Sequence, residues 1–284
     1  MYSRARAILL KHFLSRNQSD AWGNGVPIGA ISSAIYVLFI CLPILALLVK
    51  AFQQDNPLGA LVSQPALLAL RLSLVTSAVT IIVVLLVGTP FALFLARSRS
   101  PITRVVDQLV ELPIILPPVV AGVAMLLAFG RQGILGPALA GLGISLPFTT
   151  AAVIFAQIFV AAPFYVRSAK LGFQAIPRAY EENSLTLGLS PWQTFRRLTL
   201  PLAAPAMLTG VALAWARALS EFGATIMFAG NLTGKTQTMP LAIMAAMETS
   251  LDTAIALSLM LLALALVVLV ALAIITRDRW QAAP

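Results

Sequence analysis

Six stretches of this chain run for about 20 residues with hardly a charge, the length a helix needs to cross roughly 30 Å of hydrocarbon. They cover residues 28–49, 72–96, 109–129, 147–168, 206–229 and 253–276, and the last holds no charged residue at all. Composition agrees with a membrane protein. Sixty per cent of the 284 residues are hydrophobic and 10% charged, where soluble domains average roughly 45–50% and 25%. One cysteine, Cys41, excludes an intramolecular disulfide, and one histidine, His12, leaves no His-rich metal site.

The net charge of +9 invites a nucleic-acid or anion reading, but Lys and Arg also collect on the cytoplasmic side of membrane proteins. Residues 1–27 read as a retained cytoplasmic tail, since the apolar run AILL is shorter than the roughly 7–15 residues of a signal-peptide core. With that end inside, the inner segments hold Arg4, Arg6, Lys11, Arg16, Arg97, Arg99, Arg104, Arg167, Lys170, Arg178, Arg196, Arg197, Arg277 and Arg279. Only Lys50, Arg131 and Lys235 fall outside, with Arg71 at an outer helix end and Arg217 within the fifth span. The basic excess therefore mainly reports topology, with anion attraction as an additional role and no nucleic-acid partner. Residues 28–65 form the first span and an outer loop, 66–276 the transmembrane core, and 277–284 a cytoplasmic tail.

The stretch AGNLTGKT, residues 229–236, satisfies a loose phosphate-loop pattern, with Lys235 and Thr236 of suitable chemistry. Its context is wrong. It follows a membrane helix rather than a strand, and lies outside, away from cytoplasmic ATP. A tight outer turn fits it better.

Residues 176–205, IPRAYEENSLTLGLSPWQTFRRLTLPLAAP, are too polar for the bilayer. Pro177 suits a helix start and Gly188 a helix end. Ser190-Pro191-Trp192-Gln193 reads as a capping box opening a second helix, which leads into the fifth span. The first helix offers Tyr180, Glu182 and Leu187 to a partner, or lies on the membrane as an ordinary interfacial helix.

Glu182-Asn183-Ser184, three residues, Gly188, nine residues, then Leu198-Thr199-Leu200-Pro201 resembles the EAA loop of ABC-importer permeases. Asn183 and Ser184 stand for its alanines and Leu198 for isoleucine. The resemblance implies an all-α integral membrane protein with six transmembrane helices in the type I ABC-importer permease fold, both termini cytoplasmic. It implies that the loop, 176–201, is the coupling helix that docks on a separate ATPase, with Tyr180, Glu181, Glu182, Gly188, Leu198 and Pro201 as the coupling residues. The chain itself would then be no enzyme and bind no cofactor, ATP and Mg being held by the partner.

LPIILPPVVAGVAML (112–126), WARALSEFGATIMFAGN (215–231) and GKTQTMPLAIMAAME (234–248) are similar to the molybdate branch of the sulfate/molybdate/tungstate permeases. That resemblance implies a homodimer in the cytoplasmic (inner) membrane of a prokaryote, two cytoplasmic ABC ATPase subunits and an external oxyanion-binding protein. Tungstate and sulfate are the alternative cargoes. Pro117 and Pro118 should kink the third span, as structure or as part of a gate. Arg217 and Glu221, spaced i, i+4 in the fifth span, read either as a bundle-locking ion pair or as part of the anion path. Thr225 joins them as a pathway candidate. Asn231 and Lys235 face the binding protein or are simply solvated. A membrane enzyme finds no carboxylate pair, His/Cys cluster or activated nucleophile. A channel or secondary transporter leaves the inner loop unexplained.

Topology is open to direct measurement. Alkaline phosphatase fused after Asn56 or Gly234 is expected to be active, and fused after Ser190 or Pro284 inactive; the reverse pattern would overturn the orientation.

Overall fold

The computed structural model describes residues 26–53 and 62–280; the expected tail 1–25, the loop 54–61 and the last residues 281–284 lie outside it. The chain divides into two units, 1–53 and 54–284. The first holds α1, Val26–Phe52, which contains Pro43 and ends near Lys50. The second holds α2 (Gln64–Arg97), α3 (Pro101–Ile115), α4 (Pro118–Phe129), α5 (Gly136–Gly141) and α6 (Thr150–Gln174). After them come α7 (Arg178–Thr186), α8 (Pro191–Thr194), a π-helical turn (Phe195–Thr199), α9 (Leu200–Leu219), α10 (Gly223–Ala229), α11 (Met239–Met247) and α12 (Leu251–Trp280).

Among the described residues, five helices are long and apolar enough to cross a membrane: Gly29–Phe52, Gln64–Arg97, Thr150–Gln174, Pro191–Leu219 and Leu251–Ala271. A sixth crossing exists only if α3 and α4, bent by 118°, count together. This corrects the third span. Two consecutive prolines remove two N–H donors, and each forces its predecessor out of the α region. Leu116 (φ −65°, ψ 131°) and Pro117 (φ −55°, ψ 134°) are accordingly extended, so the expected kink is a full break.

The fifth span, expected over 206–229, is also corrected. α9 stops at Leu219, and Ser220 (ψ 2°) and Phe222 (φ −129°, ψ −57°) leave helical geometry before α10 begins. Unforeseen too are the short α5 and α11. α12 runs on to Trp280, past the expected end at residue 276.

α6 is the centre of the second unit, packing along α2 and α9 and touching α3, α4 and α10. Membrane helices gain no hydrophobic drive from packing on each other, so small residues and interhelical hydrogen bonds hold them. α2 accordingly buries Ala66, Ala69, Ser73, Thr76, Ser77, Thr80 and Gly88 on one face. Thr80 Oγ1 donates to Gln157 Oε1 at 3.0 Å and Trp215 Nε1 to Ser77 Oγ at 3.0 Å. The Met239 N–H donates to Ser73 Oγ at 2.8 Å, and Thr89 and Tyr165 share a 2.6 Å bond. One face of α2 thus bonds to α6, α9 and α11.

Around this frame, Ala121, Met125, Ala152, Ala156, Ala224 and Phe228 form a second core where α4, α6 and α10 meet. There the two chain breaks pack together. A Cβ added at Gly223 would lie 2.6 Å from Pro118 Cβ, closer than real Cβ contacts. Gly223→Val is therefore expected to destabilise the protein by about 1–3 kcal/mol through overpacking. A lowered thermal transition in detergent is the measurement, and an unchanged one would mean that α4 and α10 part freely.

Candidate functional site

The polar loop forms a helical hairpin. α7 ends in a Schellman arrangement: the Leu189 N–H donates to Ser184 O at 3.1 Å and the Gly188 N–H to Leu185 O at 3.0 Å. The motif needs a left-handed residue at its turn, and Gly188 supplies it with φ +89°. The capping box is formed in full: the Gln193 N–H donates to Ser190 Oγ at 3.3 Å, and the Ser190 N–H to Gln193 Oε1 at 2.9 Å. Ser184, at an expected alanine position, is buried and shares a 2.7 Å bond with Thr194 that ties α7 to α8. The departure from alanine adds a fastening.

Two faces of the hairpin differ. Tyr180 (54% exposed), Glu182, Leu187 (84% exposed) and Trp192 are open, with Trp192 stacked on Phe195 at 5.6 Å. This open face is apolar and aromatic with one acid; Tyr and Trp are the residue types that interfaces are enriched in. Glu181 turns the other way. Its Oε1 lies 2.7 Å from Arg97 Nη2 and accepts from Thr199 Oγ1 at 2.9 Å, joining α7 to the end of α2 and to the π turn. Arg178 Nη2 donates to Arg97 O at 2.5 Å, and Arg97 Nη1 to Ile176 O at 3.4 Å. Leu198 is half-buried within the π turn, and Pro201 is exposed in the first turn of α9. The Leu200 N–H reaches back to Phe195 O, the wider turn that a proline lacking its N–H and crowding the preceding turn favours.

Beside this junction lies a cavity of about 410 Å³ lined by Pro90, Leu93, Phe94, Arg97, Glu181, Leu185 and Phe195, among others. Sequence reading missed Arg97 and Thr199 as partners of the hairpin. A bond spanning 84 residues leaves no local pattern.

At the second group of candidates, Arg217 and Glu221 do pair, Nη1 to Oε2 at 2.7 Å, but across a helix end rather than within one span. Arg217 sits in the last turn of α9, where the helix dipole favours a cation. Glu221 is 1% exposed, and its Oε1 accepts the Ala224 N–H of α10 at 2.7 Å. Oε2 has no directed hydrogen bond, so the Arg217 contact is Coulombic. Thr225, on α10, is fully buried with its hydroxyl unpartnered. Pro117 and Pro118 are exposed, with Pro118 against Gly223. The structure thus brings Pro118, Glu221 and Thr225 to one junction of α4, α9 and α10.

Asn231 and Lys235 are exposed on the loop after α10, remote in the chain from the hairpin. Gly230 (φ +73°) and Gly234 (φ +76°) make the turns. The N–H groups of Lys235, Thr236 and Gln237 all converge on Leu232 O at 2.9–3.0 Å, and buried Thr236 accepts the Leu232 N–H through Oγ1 at 2.9 Å. A phosphate loop aims such donors at its ligand. Here the chain itself consumes them.

Removing the Glu221 carboxylate strands both Arg217 and an amide donor. Glu221→Ala is expected to cost about 3–5 kcal/mol, measured as loss of folded protein against temperature, whereas retained stability would show that the pair is solvated.

Residues 88–281 match the family described as the binding-protein-dependent transport system inner membrane component. The molybdenum transport system permease protein ModB of Mycobacterium bovis is 43% identical over 223 residues, 78% of this chain and 83% of that protein. The sulfate transport system permease protein CysW of Synechococcus elongatus is 37% identical over 217 residues, 75% and 76% of the two chains. Among solved structures, a bacterial ABC transporter involved in the import of the acidic polysaccharide alginate superposes with a TM-score of 0.73 at 18% identity, covering 91% of this chain and 97% of that one.

Proposed function

Since the chain belongs to the binding-protein-dependent inner membrane component family and is an ABC importer permease subunit of type I fold, we propose that its cargo is molybdate. Two copies, two ABC ATPase subunits on the cytoplasmic side and an external oxyanion-binding protein form the working assembly in a prokaryotic inner membrane. ATP and Mg are held by the ATPase partners. Closing of the ATPases moves the hairpin, and the spans joined to it alternate access to the anion path.

The observation that carries the cargo is the 43% identity to a molybdenum transport permease over most of both chains. What supports the mechanism is the hairpin: an open face at Tyr180, Glu182, Leu187 and Trp192, backed by Glu181 bonds to α2 and to the turn entering α9. Sulfate is the second reading, favoured by the 37% identity to a sulfate permease. The path runs by the junction of α4, α9 and α10, where Arg217 and Glu221 act as a paired element of the gate, and Asn231 and Lys235 meet the binding protein.

Vesicles reconstituted with the cognate ATPase and binding protein test this reading. ATP-dependent uptake of molybdate and tungstate is expected, and uptake of sulfate alone would overturn the cargo. Leu187→Asp, which puts a charge in the docking face, should lower ATPase co-purification by about tenfold or more without unfolding the permease. An assembled Arg217→Ala variant transporting at the wild-type rate would remove Arg217 from the gate.

A further inference from the structure

Away from the hairpin and the gate, four charges from α3 and α6 meet. Lys170 Nζ lies 2.6 Å from Asp107 Oδ1 and 2.9 Å from Oδ2, holding both oxygens of one carboxylate. Glu111 Oε1 stands 3.9 Å from Lys170 Nζ and 3.9 Å from Arg167 Nε. Lys170 is 9% exposed. A buried ammonium is retained only where it is paired, since desolvation otherwise expels or neutralises it.

We propose that the Asp107–Lys170 pair is a positioning latch of transport, through which movement of the hairpin is delivered to the α4 half-span; this rests on the permease reading above. α3 has little other attachment along its length. Thr103 is its one buried residue, and Val106 and Val110 are only half-buried against the core. Ile102, Val105, Leu109, Leu112 and Ile115 are exposed. The charges are therefore the main hold of α6 on α3.

Their position gives the hold a direction. Lys170 lies about two turns before α7, on the helix that runs through Pro177 into the hairpin. Asp107 and Glu111 lie on one face of α3, shortly before the Leu116–Pro117 break that leads into α4. α4 packs in turn on α10, beside Glu221. A displacement of the hairpin end of α6 thus reaches the gate junction through the latch, bypassing α9. The two acids sit one helical turn apart, about 5.4 Å. Asp107 holds Lys170 while Glu111 stands between Lys170 and Arg167, so each acid of α3 answers a cation of α6.

The test measures molybdate uptake and ATP hydrolysis together in the reconstituted complex. Asp107→Asn and Lys170→Met are each expected to lower uptake per ATP by about tenfold, hydrolysis staying within about twofold. The swapped pair, Asp107→Lys with Lys170→Asp, should restore the ratio, because a pairwise term survives exchange of its partners. A purely structural pair lowers uptake and hydrolysis in proportion and leaves the ratio unmoved. That result, or an assembled swap that hydrolyses without transport, overturns the latch. If neither single variant assembles, the conservative variants Asp107→Glu and Lys170→Arg decide: a lowered uptake per ATP supports the latch, and an unchanged ratio overturns it. A wild-type complex taking up sulfate alone strikes the cargo reading, and the coupling ratio is then measured with sulfate.

Discussion

Hydrocarbon offers no partner to a backbone N–H or C=O, and the architecture depends on that constraint. Each unsatisfied group costs several kcal/mol, so irregular backbone at membrane depth persists only where protein or a water-lined cavity surrounds it. This chain breaks at Leu116–Pro117 and again at Ser220–Phe222. The breaks are placed against each other, Pro118 on Gly223. Glu221 takes up the amide that the second break exposes. The two interruptions thus share one junction, whose second break is buried around Glu221 while Pro117 and Pro118 stay exposed.

The same constraint explains how the spans are held. Hydroxyls of α2 bond in turn to Gln157, Trp215, Tyr165 and the start of α11. Such bonds fix the rotation of each helix about its axis more sharply than apolar contact does, because lipid solvates leucine as well as a neighbouring helix would. At the hairpin end the fastening changes character, from hydroxyls to charges: Arg97 with Glu181, and Lys170 with Asp107.

Much of this was legible in the residues. Four of the six expected spans, the capping box and the left-handed turn at Gly188 follow from local chemistry and are found, and the fifth is found with other bounds. The full break at Pro117 was half legible: two prolines announce a kink, and two successive extended residues, Leu116 and Pro117, open it to 118°. The end of α9 was hidden because ALSEFGATIMFAG is apolar enough to read as continuing span. Glu221 was read as the helix-internal partner of Arg217, and its second role, accepting from Ala224, becomes visible only when the chain turns. The pairs between distant segments have no sequence signature, since in one sequence a basic residue near a membrane edge looks the same whether it sets topology or grips Glu181.

The π turn at Phe195–Thr199 is, in helical terms, one residue too many. An α-helix advances about 100° per residue, so that extra residue fixes the phase of α9 relative to the hairpin. Trp215 meets Ser77 only in that phase, and trimming a single residue from the turn would rotate the whole span by more than a quarter of a revolution. The angular timing between the hairpin and its span is thus stored in one surplus peptide unit.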